Sequence, residues 1–296
     1  MKVSVIIPVY RDWTRLALCL DALEKQAYPS NQFEILVVNN DPSTQVPDWF
    51  EIPKNCTLLE EEQPGSYAAR NRGLEAAQGE LYCFTDADCR PSAGWLEEIV
   101  GVFERKPEVD IIGGEIRLEA SFSSNNPAEL YELIYSLKQE DYVGQNWAAT
   151  ANMGARKSVF DAVGTFDAGL FSNGDYEWCQ RVGAAGRKIT YCREAFVLHP
   201  ARSTINLILM KFRRIVGGQV ARKIKKIGYL RCLILFIVTF PFKVLPPTSG
   251  LTRLNSERRI GLAMRMRIYG LLYLIKITKT IERGRLLLFR SEPNRA

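Results

Sequence analysis

Two aspartates one residue apart close an apolar run in GELYCFTDADCRP, residues 79–91: Asp86 and Asp88 follow Leu81, Tyr82, Cys83 and Phe84. A buried strand does not ordinarily end by setting like charges side by side, because each raises the other's pKa. The pair calls for positive charge from outside the chain. Hard divalent cations take carboxylate oxygens and leave positions open for an anionic partner. Two other apolar runs end in polar clusters: VSVII in PVYRD, residues 8–12, and FEILVV in NNDPS, residues 39–43.

The elements that must position these clusters read as alternating strands and helices. VSVIIPVY and FEILVVNN are buried strands, CTLLEEE is a candidate third, and LYCFTDAD is the next. Between them Asp12 caps a helix whose Leu16, Cys19, Leu20 and Leu23 share a face, and Ser66 caps a second that runs to Gly79. Pro91 suits the first turn of a helix carrying Trp95, Ile99 and Phe103. Four such alternations in about 105 residues imply a parallel α/β sheet with a ligand crevice at the strand carboxyl ends. There the three polar clusters would converge. VDIIGGEIRL then reads as a strand, and Pro127 opens a helix. SVFDAVG and DYEWCQRVGAAG are short helices, and KITYC and AFVLH short strands.

The 296 residues allow one large domain or a domain with an appendage. Seven cysteines without CxxC spacing fit buried reduced thiols better than a disulfide framework. MKVSVIIPVY lacks a small-residue cleavage site after its apolar run and reads as a first strand. The net charge of +6 conceals an asymmetry: residues 195–296 carry 21 Lys and Arg against 3 Asp and Glu. An acidic body with a basic final third implies a second task involving something anionic.

The segments VSVIIPVY, EILVVNN, GSYAARNRGLEAAQGELYCFTDADCRP, ANMGARKSVFDAVGTFD and GDYEWCQRVGAAGRKITYC together, in this order, resemble the family 2 glycosyltransferases over roughly residues 3–200. The resemblance implies an α/β GT-A fold, a Rossmann-like mixed sheet flanked by helices, and an inverting, metal-dependent transfer from a nucleotide sugar. Asp86 and Asp88 then look like the DxD motif. Asp88 is the expected metal ligand, with Asp86 meeting the ribose or a metal-bound water. His199, the single histidine, stands where relatives often supply a late metal ligand; it is otherwise a structural residue at a strand end. Imidazole favours Mn²⁺ over Mg²⁺. Asp175 is the expected general base, the alternative being a helix N-cap, and Glu177 is its backup. Relatives usually read Glu-Asp where this chain has Gly174-Asp175. Pro8, Tyr10, Asn39, Arg70 and Asp86 match nucleotide-binding positions. Asn39 replaces the usual Asp, which puts the preference for uracil in doubt. The acceptor side comprises Trp147, as sugar platform or packing, and Asn152.

The expected organisation is a catalytic domain over 1–203, nucleotide-binding to about 118 and acceptor-binding to 203, followed by a basic helical region over 204–296. Residues 204–231 read as one basic helix, 232–242 as an apolar segment, and 256–290 as another basic amphipathic stretch. The apolar segment has eleven residues and is too short for a bilayer, which needs about 20. A basic cluster before a short apolar run suits a helix lying in a membrane interface. Packing on the catalytic domain or a second subunit, and a re-entrant hairpin, are the alternatives. The expected partners are a UDP- or GDP-linked sugar, a glycan or lipid-linked acceptor, and the cytoplasmic face of a membrane. Nucleic acid is not expected, because no recognised motif for it is present. Two other functions stay open. A sugar-nucleotide nucleotidyltransferase would want a glycine-rich N-terminal loop, and PVYRDWTRL has none. A non-catalytic module would fit the departures at Asn39 and Gly174.

Overall fold

The structure is a computed structural model that describes residues 1–120, 125–257 and 260–290. The chain divides into two units. One holds residues 1–117, 137–169 and 174–200, and the other 118–136, 170–173 and 201–296. Residues 118–136 and 170–173, expected with the acceptor half, group instead with the C-terminal helices.

The first unit opens with β1 (Val3–Val9), α1 (Trp13–Glu24), β2 (Phe33–Asn39), β3 (Cys56–Glu60), α2 (Ser66–Ala76) and β4 (Leu81–Thr85). β1, β2 and β4 are nearly continuous apolar runs because they are covered on both faces, as parallel strands must be. β1 pairs in parallel with β2 on one side and β4 on the other, and β3 extends the sheet beyond β2. Parallel pairing puts the carboxyl ends of these strands on one side, which gathers the polar clusters at residues 8–12, 39–43 and 85–88. α1 starts as its sequence dictates: the Asp12 carboxylate accepts from Arg15 N at 3.3 Å, and Leu16, Cys19, Leu20 and Leu23 are buried. α2 starts differently. Gly65 occupies its N-cap, and Asn40 Oδ1 accepts from Gly65 N at 2.7 Å.

The chain continues through β5 (Arg90–Pro91), α3 (Trp95–Arg105), β6 (Ile111–Glu119), α4 (Pro127–Tyr135), α5 (Gln139–Val143), β7 (Asn152–Arg156), α6 (Lys157–Val163), α7 (Gly174–Ala184) and β8 (Ile189–Pro200). Pro91 belongs to β5, opposite Val197 of β8, and the helix begins only at Trp95. KITYC and AFVLH form one strand, β8. β7 lies antiparallel between β4 and β6, giving the mixed order β3-β2-β1-β4-β7-β6-β8-β5.

The second unit holds α4 with α8 (Ile205–Ile227), α9 (Tyr229–Val244), α10 (Leu251–Ser256) and α11 (Leu262–Leu288). The expected helix through 231 breaks at Gly228, whose φ of 81° is the left-handed conformation glycine tolerates. Val216, Val220, Cys232, Phe236, Leu286 and Leu287 form one apolar cluster, and Ala128, Tyr131, Ile208, Leu271 and Ile275 another. Glu132 is fully buried in this unit. It accepts from Arg202 Nη1 at 2.8 Å and Lys211 Nζ at 3.1 Å. Burial works against its charge, but Lys211 and Arg202 hold it below the usual carboxylate range. Among the described residues no helix is long and apolar enough to cross a membrane. All seven cysteines are free. Six are buried and Cys56 is half-buried.

Candidate active site

The site is built from the carboxyl ends of β1, β2 and β4, the first turns of α2 and α7, and the end of β8, all within the first unit. Thr85 ends β4, and the chain turns so that Asp86 and Asp88 face different partners. Asp86 pairs with the Arg70 guanidinium. Arg70 comes from α2, is 3 % exposed, and lies 5.5 Å from the Tyr67 ring centroid. Its Nε is buried and has no acceptor among the described residues.

Asp88 faces His199 instead, with Oδ1 3.7 Å from Nε2. His199 Nδ1 lies 2.9 Å from the Pro200 carbonyl oxygen. A carbonyl only accepts, so Nδ1 carries a proton, which leaves Nε2 as the nitrogen that can offer a lone pair to a cation. Two acceptors that face each other at this distance fit a cation between them, and an imidazole anchored through its other nitrogen is the usual form of a histidine ligand. The Cys89 sulfur is within 4.8 Å of both ligand atoms. Burial, with Asp86 and Asp88 adding to it, pushes this thiol well up, so Cys89 offers a neutral, soft group beside hard donors. The pair suited to a divalent cation is therefore Asp88 with His199.

Asp175 lies in the first turn of α7. Its Oδ1 accepts from the Tyr67 hydroxyl at 3.0 Å and from Tyr176 N at 2.9 Å, and its Oδ2 from Thr150 N at 3.4 Å. The residue keeps part of its surface open, yet protein surrounds the carboxyl group closely. Desolvation raises its pKa above the ordinary value, and the bonds from Tyr176 and Tyr67 only partly offset this. Gly174 explains the chain's departure from the expected Glu. A Cβ there would stand 2.7 Å from the Tyr67 ring, so the tyrosine takes the space a side chain would need. Glu177, in the same first turn, is committed to Arg181 through both oxygens, at 2.9 and 3.1 Å.

Of the remaining expected residues, Pro8, Tyr10 and Asn39 stand at the adjacent ends of β1 and β2, and Trp147 and Asn152 are packed among other side chains. Tyr10 is exposed beside Arg11, with Pro8 two residues earlier in β1. Asn39 is buried at the end of β2, and its Oδ1 accepts from Asp41 N at 3.0 Å. Trp147 stacks on Tyr142 at 4.1 Å and meets Tyr176 edge-on, leaving it half-buried near α7. Asn152 is fully buried. It accepts from Trp95 Nε1 and donates to the Glu115 and Ala195 carbonyls, each at 2.8 Å, so its polar groups tie β7 to its neighbours. Sequence reasoning missed Tyr67 and Asn40. Asn40 Nδ2 donates to the carbonyls of Glu61 and Gln63, fixing the loop into α2. Tyr67 lies within the GSYAARNRG segment that supplied Arg70, but nothing local announces its partner.

Known proteins resemble this chain in sequence and in fold. The family model described as Glycosyl transferase family 2 matches residues 4–164. Glycosyltransferase AglE of Haloferax volcanii is 36 % identical over 74 % of this chain and 73 % of its own. A Methanococcus voltae protein named dolichyl N-acetyl-alpha-D-glucosaminyl phosphate 3-beta-D-2,3-diacetamido-2,3-dideoxy-beta-D-glucuronosyltransferase is 24 % identical over 82 % of this chain and 80 % of its own. Among solved structures, the mannosyltransferase PcManGT from Pyrobaculum calidifontis, in complex with GDP-Man and Mn²⁺, has a TM-score of 0.61. It covers 98 % of this chain and 88 % of its own at 18 % identity.

Proposed function

The chain belongs to glycosyl transferase family 2 and is a glycosyltransferase with the GT-A fold, and from that premise we propose an inverting, divalent-metal-dependent transfer to a lipid-linked or surface-glycan acceptor. One observation carries this reading: three carboxylates of one site have three different partners. Asp86 is paired with Arg70, Asp88 faces His199 Nε2, and Asp175 is half-enclosed and hydrogen-bonded to Tyr67.

Asp88 and His199 would hold the cation, Mn²⁺ in preference to Mg²⁺ because a nitrogen ligand takes part. When bound there, the cation supplies Lewis acidity toward a departing diphosphate. Asp86 and Arg70, with Pro8, Tyr10 and Asn39 on the neighbouring strand ends, are the groups assigned to the nucleoside and ribose. Asp175 removes the proton from the acceptor hydroxyl as that oxygen attacks the anomeric carbon. A carboxylate with a raised pKa is a better proton acceptor than an ordinary one. Attack opposite the leaving group inverts the anomeric centre through an oxocarbenium-like transition state. Trp147, beside Tyr176 of α7, is the surface assigned to the acceptor sugar.

The donor is a UDP- or GDP-linked sugar; the GDP-Man held with Mn²⁺ in the PcManGT complex favours GDP. The dolichyl phosphate in the name of the Methanococcus voltae relative favours a lipid-linked acceptor. For membrane contact, α9 exposes Leu230, Ile234, Ile237, Val238 and Phe242 at helical spacing, with Lys223, Lys225 and Lys226 just before it. This suits a helix lying in the interface at the cytoplasmic face. A hydrolysis screen across UDP- and GDP-sugars, with Mn²⁺, Mg²⁺ and chelator, tests the reading. Metal-dependent release of one nucleotide is the expected result, and full activity in excess chelator would reject the metal assignment.

A further inference from the structure

The helical unit contains cations that its own acids do not balance. Lys211 of α8 and Lys279 of α11 approach the same ring, with their ammonium nitrogens 6.0 and 3.9 Å from the Phe212 centroid. One turn beyond Lys279, Arg283 donates to Gln219 Oε1 at 3.1 Å, and Gln219 lies two turns beyond Phe212 on α8. Lys243, near the end of α9, meets α11 through its carbonyl oxygen, which accepts from Thr280 Oγ1 at 3.5 Å, one residue after Lys279. Lys211, Lys243, Lys279 and Arg283 are all only partly exposed. Glu132 is shared between Lys211 and Arg202. Among the described residues no carboxylate is within ion-pair distance of Lys243, Lys279 or Arg283.

Half-buried like charges without counter-charge oppose folding. Their mutual effect is visible in the ammonium groups. Burial first, then Arg283 and Lys211, hold the Lys279 pKa down to about 8, and burial with Arg202 holds Lys211 down to about 8. An anion carrying several charges would relieve this. Glu132 already serves Lys211 and Arg202, and one further carboxylate would not balance Lys279 and Arg283 with Lys243 beside them. A phosphate or diphosphate would, and a guanidinium fork with compact ammonium groups is the donor set that recognises it.

We propose that Lys211, Lys243, Lys279 and Arg283 form a binding site for a phosphate or diphosphate group within the helical unit. Two sources share that chemistry, the phosphate of a lipid-linked acceptor and the headgroup of an anionic phospholipid. The first rests on the acceptor class proposed above.

The test titrates inorganic pyrophosphate into the full chain, with chelator present so that no divalent cation bridges it to Asp88 and His199. Calorimetry and melting temperature are the readouts. Wild type and Asp88→Ala should bind alike and melt higher with pyrophosphate. Lys279→Gln and Arg283→Gln should each weaken binding by about tenfold or more, since each removes a charge-assisted bond. Without pyrophosphate, Lys279→Gln should melt no lower than wild type, because it relieves repulsion; Lys243→Gln is a second variant for the same comparison. No binding to wild type, binding unchanged in the Lys279 and Arg283 variants, or binding lost in Asp88→Ala would overturn the site. Neutral vesicles doped with polyprenyl phosphate, compared with phosphatidylglycerol vesicles of equal charge, separate the sources. Preference for the first identifies the acceptor, and equal binding identifies headgroup charge. Binding to neither overturns the site. These readouts are independent of transfer, so their failure leaves the transferase reading to its own hydrolysis assay.

Discussion

The Tyr67 hydroxyl donates to Asp175 at 3.0 Å across 108 residues of chain, and Gly174 leaves the space in which the tyrosine ring stands. The same ring lies beside Arg70, which pairs with Asp86. A continuous set of contacts thus runs from the nucleotide-side carboxylate to the proposed base. Tyr67 acts through Asp175, as a positioning residue.

Tyr67→Phe removes a bond that lowers the Asp175 pKa, so that pKa should rise further. The acid limb of the kcat/KM profile should move to higher pH, with transfer at neutral pH falling several-fold to about tenfold. Gly174→Ala, which crowds the ring, should move the limb in the same direction. A pH–rate profile unchanged in both variants would show that Tyr67 does not tune the base.

Asp175→Asn should keep donor binding and lose about 10² to 10⁴ in transfer rate. Its stability has a definite sign. The folded pKa of Asp175 is raised, so its contribution is fully present below the ordinary aspartate pKa and is lost as pH rises through the folded value. Melting of wild type relative to the Asn variant should therefore be most favourable below the ordinary aspartate pKa and become less so as pH rises above it. The reverse trend would mean that the carboxylate is not desolvated.

Asp88→Ala should abolish metal-dependent donor hydrolysis. His199→Gln should weaken Mn²⁺ binding more than Mg²⁺ binding, because it exchanges the nitrogen ligand for an oxygen. Electron paramagnetic resonance of free Mn²⁺ measures this without turnover. Equal losses for both ions would place His199 outside the coordination shell.

Ile234→Glu and Phe242→Glu put charge on the exposed apolar face of α9. Both should shift the protein from floating with anionic liposomes to the soluble fraction, with little change in melting temperature. Unchanged flotation would assign attachment to another surface.

The central strands were legible because burial on both faces leaves an unbroken apolar run, as in β1 and β4. Asp88 stood out through its pairing with Asp86 at a strand end, whereas Asp175 and His199 were singled out through the family resemblance. β7 was hidden. Its NMGAR sequence is small-residued, and its Asn152 looks like a loop or ligand residue, because the buried carbonyls that satisfy it come from Glu115 and Ala195 far along the chain. β8 looked like two strands because Arg193 and Glu194, both exposed, interrupt its apolar pattern. The bond from Tyr67 to Asp175 has no local signature, since it joins elements brought together only by the completed fold. The cations on α8 and α11 read only as basic faces suited to an anionic surface, because a period of 3.6 residues does not say which side a neighbouring helix covers.

The cysteines allow the opening of each unit to be timed separately. Cys232 is the only thiol of the helical unit, buried against Val216, Phe236 and Leu286, while the other six belong to the α/β unit. A buried thiol reacts with an alkylating reagent only after the structure around it opens. The labelling rate of Cys232, followed by peptide mass spectrometry, therefore clocks opening of the helices, and those of Cys83 and Cys179 clock opening of the sheet. Half-buried Cys56 supplies the rate for the closed state. A phosphate-bearing ligand that slows Cys232 while leaving Cys83 unchanged would report binding to the helices from a single untagged, wild-type sample.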